Sequence, residues 1–584
     1  MTEKKIAPEQ TAAEGMDRGL TSYGDAAFSR FLRNVFLKSA GHSDFGTQRP
    51  VIGIVDTGSD YNPCHRTVPD LIEAIKRGVM LAGGVPFTFP VISLHESFAH
   101  PTSMYLRNLM AMTVEEMIRA QPMDAVVLIG GCDKTVPALL MGAFSADTPA
   151  ILEVTGPMLA GSHRGNRVGA CTDCRRYWAE YRGGRVDAEE ITEIEANLAP
   201  SAGTCMVMGT ASTMACMAES MGMMLPGGAA IPAVYSDRIR HAEATGARAV
   251  ALATEKVKPS DIVDRRGIEN ALRALLAIGG STNGLVHLAA MVGRLGYRLD
   301  LDALDGFSAE TPVVVDLKPS GKDFMEDLYR AGGMTRVLKE LLGSLHLDAP
   351  TVAGMTLGEV LEAVPSGWPQ DVVRPIDDPL FAGASLVVLT GSLAPNGALI
   401  KQSAADPKLL EHTGRAIVFD GLEDMATRID DPAVGARAED ILILRNAGPI
   451  GAPGMPEAGY IPIPRYLAEQ GVKDMVRISD ARMSGTAFGS IVLHVSPEAA
   501  IGGPLGLVET GDTIRLSVKD RVLDLDVDTA TLDARAARKP KAPTLAEQSS
   551  ERGYRKLFLD TVQQVEHGCD FDFMRPEITK SVPG

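Results

Sequence analysis

Three things are scarce in this chain. It has seven cysteines in 584 residues, an odd and thinly spread set that excludes a disulfide scaffold and fits reduced thiols in the cytoplasm. Long apolar runs are missing. Met1-Thr2-Glu3-Lys4-Lys5 opens into polar sequence with no signal core. The longest nearly uncharged region, 196–236, is rich in Gly, Ala, Ser and Thr and broken by Pro226-Gly227-Gly228, which marks buried core and not a membrane span. Positive charge is also in deficit, with a formal net charge of −17. That balance argues against nucleic acid and anionic membranes as partners. It leaves small anions open, because a local metal can override the global field.

What is present is ordinary for a globular protein: 45% hydrophobic and 22% charged residues. The length exceeds what one core organises, so two large domains are expected. Residues 1–48 read as an arm with an amphipathic helical piece at 26–37. Residues 49–378 alternate strand and helix and predict an α/β domain with a parallel sheet flanked by helices. Expected strands are 51–55, 85–92, 125–129 and 150–154; expected helices are 67–80, 102–120 and 136–144, with helical text dominating 187–295. Residues 379–584 change character. Short β-like runs at 386–389, 416–419, 441–444, 490–493 and 513–516, separated by Gly and Pro, predict a β-barrel-like domain. Residues 534–543 read as an exposed linker.

The chemistry concentrates in Ile129-Gly130-Gly131-Cys132-Asp133-Lys134-Thr135, a turn between a predicted strand and a predicted helix. A thiolate favours iron–sulfur clusters or zinc, and a carboxylate favours magnesium, calcium or manganese. Both side by side point to two different metals in one site. Cys64 follows the strand at 51–55 and Cys132 the strand at 125–129, and ligands in open α/β sheets gather at the carboxyl ends of strands. Cys205 sits in the small-residue turn Ser201-Ala202-Gly203-Thr204-Cys205. Taken singly, each cysteine reads as a small buried hydrophobe; their shared placement in turns argues otherwise. Cys171-Thr172-Asp173-Cys174 is a lone CxxC without a second pair, and reads as a surface turn. Cys216 reads as core and Cys569 as incidental.

Together these motifs resemble the dihydroxy-acid and sugar-acid dehydratase family, which includes phosphogluconate dehydratase. Cys132-Asp133-Lys134-Thr135-Val136-Pro137-Ala138 resembles one family signature, and Val476-Arg477-Ile478-Ser479-Asp480-Ala481-Arg482-Met483-Ser484-Gly485-Thr486-Ala487 a second. Supporting segments are Asn62-Pro63-Cys64, Gly203-Thr204-Cys205, the run 208–214, Gly279-Gly280-Ser281-Thr282-Asn283 and Gly454-Met455-Pro456-Glu457. The resemblance implies that Cys64, Cys132 and Cys205 hold an iron–sulfur cluster, 2Fe-2S in the sugar-acid branch with 4Fe-4S as the alternative. It implies that Glu96, Asp133, Lys134 and Glu457 surround Mg2+, with the lysine carbamylated. A carbamate offers the hard oxygen that magnesium prefers, where an ammonium would repel it. Ser484 is implied as the catalytic base and Thr486 as a substrate contact, while His65 and His95 read as neighbours of the ligands.

The implied reaction is that of a hydro-lyase. A 2,3-dihydroxy carboxylate loses its C2 proton to a Ser484 alkoxide and its C3 hydroxide, giving a 2-keto-3-deoxy acid. Three cysteines fit a Lewis-acid cluster with an open position. The motif variants resemble the pentonate branch, so a sugar acid such as L-arabinonate or D-xylonate is expected. 2,3-Dihydroxyisovalerate of branched-chain amino-acid biosynthesis is the alternative. The resemblance also implies a homodimer or homotetramer. From a different class, an iron–sulfur electron carrier would need a nucleotide or flavin motif, and no convincing GxGxxG stands at a strand-to-helix junction.

Overall fold

A computed structural model describes residues 15–20, 23–43, 49–365, 367–538 and 552–583. Four apolar runs form the first sheet: β1 (Val51–Asp56), β2 (Val85–Pro90), β3 (Ala125–Gly130) and β4 (Ala150–Val154). All pair in parallel, in the order β2-β1-β3-β4. β3 and β4 are buried along their whole length, as a parallel sheet covered on both faces requires.

Helix α1 (Ala26–Ser39) precedes the sheet and is capped by the Asp25 carboxylate, which accepts from the Ala27 and Phe28 amides. α2 (Val68–Leu81) joins β1 to β2, α3 (Ser103–Ala120) joins β2 to β3, and α4 (Thr135–Ala146) joins β3 to β4. The chain steps outward from β1 to β2, then returns past β1 to β3. Right-handed crossovers therefore put α2 on one face and α3 and α4 on the other. The packing agrees: α2 lies along the helix Ser236–Glu255, and α3 along α4. The reversal between β1 and β3 opens a crevice at their carboxyl ends, where such sheets bind ligands.

The second sheet has eight strands in the order Val522–Asp526, Thr513–Ser517, Glu411–Asp420, Ile441–Arg445, Arg477–Ser479, Ile491–Ser496, Gly397–Lys401, Leu386–Leu389. Its four central strands are parallel and the outer ones antiparallel. A bridge from Thr390 to Val522 nearly joins the two edges, so the sheet curls almost closed around Val387, Ile400, Ile443, Ile478 and Val492. The C-terminal residues return to the first layer. Phe558 and Phe571 pack with Met104 and Val286, Asp570 pairs with buried Arg294 at 2.6 Å, and Lys580–Val582 pairs with Tyr297–Leu299.

Two expectations need amending. Residues 534–538 end a helix, Thr529–Arg538, instead of starting a linker, and 539–543 lie outside the described residues. Cys569 is buried in the core, where its carbonyl accepts from Arg107 and Asn108.

One buried ion pair fixes the helix Ser236–Glu255 to the sheet. Glu153 on β4 has no exposed surface and holds Arg238 at 2.9 Å, His241 at 2.7 Å and Thr245 at 2.7 Å. Glu153→Ala leaves Arg238 buried against carbonyls alone and is expected to cost ~3–5 kcal/mol. Hydrogen exchange across Ser236–Glu255 checks this: protection equal to wild type would remove the pair from that role.

Candidate active site

Each strand of the first sheet delivers one piece of the site from its carboxyl end. After β1, Cys64 sits on the short 3-10 turn Pro63–His65. After β2, Glu96 opens the turn Glu96–Phe98. After β3, Cys132, Asp133 and Lys134 occupy the turn into α4. Gly131 leaves no room for a side chain there, since a Cβ would lie 1.8 Å from the Thr155 hydroxyl. After β4, the bridge from Pro157 to Thr204 holds the turn carrying Cys205.

Cys64 and Cys132 are buried. Their sulfurs and a ring nitrogen of His95 lie within 4.8 Å of one another. A hydrogen bond with Cys132, then burial, push the Cys64 thiol well above the ordinary range. Cys205 lies outside that 4.8 Å group but close enough to feel the charges of Cys132 and Asp133. His65 is fully buried. Its Nδ1–H donates to the Thr57 carbonyl at 2.8 Å, and Nε2 accepts from the amides of Gly131 (3.0 Å) and Cys132 (3.2 Å). It thus holds the backbone of the ligand turn, a positioning role hidden in the sequence.

Beside the thiols stands an oxygen set. Carboxylate oxygens of Glu96, Asp133 and Glu457 lie within 4.8 Å of one another. Lys134 Nζ is 2.5 Å from Asp133, 2.9 Å from Glu96 and 3.3 Å from Glu457. Arg482, which sequence reasoning left without a role, is fully buried and donates to Glu457 at 2.5 Å, Glu96 at 3.1 Å and Thr102 Oγ1 at 2.8 Å. The Thr102 and Ser103 hydroxyls donate to Glu96. Burial alone would raise Glu96, but Lys134 and Arg482 hold it far below the usual carboxylate range. Burial and Arg482 would lower Lys134, and the three carboxylates hold it raised instead. Hard oxygens arranged around a central cation suit magnesium, with the Lys134 ammonium standing where positive charge is wanted.

The Ser484 loop follows the strand Arg477–Ser479 and is clamped from the first half of the chain. Asn283 Nδ2 donates to the Met483 carbonyl at 2.8 Å and to Thr210 Oγ1 at 3.3 Å. The Ser281 and Thr210 hydroxyls meet at 2.9 Å, and Thr172 donates to the Thr486 carbonyl at 2.8 Å. A Cβ on Gly485 would lie 2.5 Å from that of Ser281. Half-buried Ser484 meets Thr486 hydroxyl to hydroxyl at 2.8 Å. Buried Asp480 accepts from Ala447 and Ala499, and Glu498 from Ile450 and Gly451, fixing the segment that leads to Glu457. Burial pushes Asp480 up to about 6 and Glu498 up to about 7.

The CxxC is not a plain surface turn. Cys171 is the N-cap of α5 (Thr172–Arg182), both of its cysteines are half-buried, and they pack with Cys205 around Met158, Met206 and Phe324. Neighbouring Cys174, then Cys205, hold the Cys171 thiol well below its ordinary range. Cys216 is buried within Thr210–Ser220.

Residues 49–360 match the family described as dihydroxy-acid/6-phosphogluconate dehydratase, N-terminal, and residues 371–569 its C-terminal counterpart. The chain belongs to this family of dehydratases, and is an enzyme of that class. It is 47% identical to an L-arabonate dehydratase of Azospirillum brasilense over 93% of this chain and 94% of that one. It is 44% identical to a 6-deoxy-6-sulfo-D-gluconate dehydratase of Pseudomonas putida over 90% and 91%. A dihydroxy-acid dehydratase of Carboxydothermus hydrogenoformans shares 39% over 92% and 96%. No helix among the described residues is long and apolar enough to cross a membrane.

The buried state of His65 carries a pH dependence. Burial pushes its pKa from the usual 6.5 down to about 4. Between those values the unfolded chain binds a proton that the folded chain refuses, so stability falls as pH drops from about 6.5 to about 4, by roughly 3 kcal/mol at the limit. Thermal midpoints of wild type and His65→Gln, followed from pH 7.5 to 4.5, should converge as pH falls. Parallel curves would show that His65 does not titrate with folding.

Proposed function

We propose that this enzyme is a cytoplasmic, homo-oligomeric hydro-lyase that converts a 2,3-dihydroxy carboxylic acid to its 2-keto-3-deoxy acid. A sugar acid such as L-arabinonate or D-xylonate is the favoured substrate, and 2,3-dihydroxyisovalerate is the alternative. The observation that carries this reading is the contact of two donor sets of opposite softness. Thiols of Cys64 and Cys132 adjoin the carboxylates of Glu96, Asp133 and Glu457 through the single peptide link Cys132-Asp133. Relatives named for sugar acids stand at 47% (L-arabonate) and 44% (6-deoxy-6-sulfo-D-gluconate) identity, and those named dihydroxy-acid dehydratases at 36–39%.

In this reading Cys64, Cys132 and Cys205 hold the iron–sulfur cluster (2Fe-2S), and Glu96, Asp133, Glu457 and carbamylated Lys134 hold magnesium. When bound, these groups act as Lewis acids toward the substrate's oxygens. The chain's own residues do the rest. Ser484 Oγ takes the C2 proton as an alkoxide, and the Thr486 hydroxyl at 2.8 Å donates to that oxygen and contacts the substrate. Arg482 keeps Glu96 ionised and orients both Glu96 and Glu457. Carbamylation needs Lys134 to give up a proton and take up carbon dioxide, which the surrounding carboxylates resist until a metal cation shares their charge. Magnesium and carbon dioxide uptake are therefore linked.

A panel of aldonates and dihydroxyisovalerate, assayed for 2-keto acid with iron and magnesium present, tests the reaction. No keto acid from any of them would end this reading. Ser484→Ala should keep the cluster spectrum and magnesium yet lose roughly 10²–10⁴-fold in turnover; near-normal turnover would refute the base. Cys132→Ser should lose both colour and activity. Calorimetric titration of metal-stripped enzyme should show tighter magnesium binding in bicarbonate than in carbon-dioxide-free buffer, and equal affinities would count against the carbamate.

A further inference from the structure

The CxxC at the start of α5 has no part in the chemistry above. Cys171 and Cys174 both line a cavity of about 700 Å3, together with Tyr460 and Phe488 from the other half of the chain. The volume suits a small organic ligand. Four arginines and Lys473 also line it, against the single carboxylate of Glu180. Arg176 and Arg182 are answered by Asp173 and Asp430, whereas Arg175 comes only within 4.0 Å of Glu457, and Arg185 donates to the Ala468 carbonyl. The cavity thus keeps a positive excess and favours an anionic visitor. Three residues apart across the first turn of a helix, the two thiols share one face, and both pack against Met158, Met206 and Phe324. Among the described residues Cys64, Cys132, Cys216 and Cys569 are all buried, which leaves this pair and Cys205 as the partly exposed thiols.

We infer that Cys171 and Cys174 form a reversible thiol–disulfide pair, oxidised by a small anionic disulfide of the glutathione type that enters this cavity. The Cys171 thiolate attacks one sulfur of the glutathione disulfide; that bond breaks and one glutathione leaves as thiolate. Cys174 then attacks the Cys171 sulfur of the mixed disulfide and expels the second glutathione. Two protein thiols are oxidised, one glutathione disulfide is reduced to two thiols, and the two protein protons pass to the leaving thiolates. Cys205 packs against the same cluster as the pair, so the redox state of the cavity reaches a thiol of the active site. The pair stands on the cavity and the helix turn, whatever Cys205 binds.

The test equilibrates the purified enzyme, with whatever metal it carries, in glutathione buffers of graded oxidation under anaerobic conditions. Samples are then acid-quenched, alkylated and mapped by peptide mass spectrometry. A peptide linked through Cys171 and Cys174 should accumulate with oxidation and vanish with dithiothreitol. In Cys174→Ser, Cys171 should instead carry a single glutathione. Full alkylation of both thiols at every buffer ratio would overturn the inference, and so would a link from Cys171 to Cys205 in place of Cys174. Cluster absorbance and keto-acid formation are read separately, so failure of the dehydratase reading leaves this result standing.

Discussion

Three half-buried carboxylates cannot crowd together unless cations answer them, and here the answering groups come from both halves of the chain. Glu96, Asp133 and Lys134 belong to the parallel-sheet half, and Glu457 and Arg482 to the eight-stranded half. Arg482 contacts a carboxylate from each side, Glu457 of its own half and Glu96 of the other, and so ties the two halves together. Removing either partner of such a buried pair leaves an uncompensated charge. The halves therefore meet at the site through ion pairs, and beside it through apolar contacts such as Met104 and Val286 with Ile450 and Met455.

The topology explains why the donors meet there. Reversal of the strand order between β1 and β3 leaves a crevice at their carboxyl ends, and Cys64 and the Cys132 turn emerge on its two sides. From the other half, the Ser484 loop is fixed by Asn283, Thr210, Ser281 and Thr172, small polar groups on three helices of the first half. Close approach is what these segments have in common. Gly485 touches Ser281, and Gly131 touches Thr155, with no space for a methyl group at either contact.

The first sheet was legible because its strands are short, apolar and punctuated by turns, and the observed bounds differ from expectation by at most two residues. Three strands of the second sheet were not. Gly397–Lys401 carries a glycine and a lysine, and Lys401 is buried with its pKa pushed down to about 7. Val522–Asp526 interleaves aspartates, and Arg477–Ser479 is too short to announce itself. At the site, strand-end position pointed to Cys64 and the Cys132-Asp133-Lys134 turn, whereas Glu96 and Glu457 came from the family resemblance alone. Arg482 has no role in the sequence reading, and His95 and Cys171 only bland ones, for another reason. Their importance lies in what they touch, and an arginine, a loop histidine or a lone CxxC looks the same whether it faces water or a buried partner. Arg482 did lie inside the second signature, where a charged residue within a run of small buried ones was the available clue.

The tail gives the chain an unusual architecture. It leaves the eight-stranded sheet and comes back to the first layer, where Lys580–Val582 adds a strand to Tyr297–Leu299 and Asp570 neutralises Arg294, 276 residues earlier. In topological terms the second sheet is an insertion, and the first layer is built from chain on both sides of it. Anything fused to or trimmed from the carboxyl terminus therefore acts on the layer that carries the thiols, although the neighbouring stretch of sequence belongs to the other sheet.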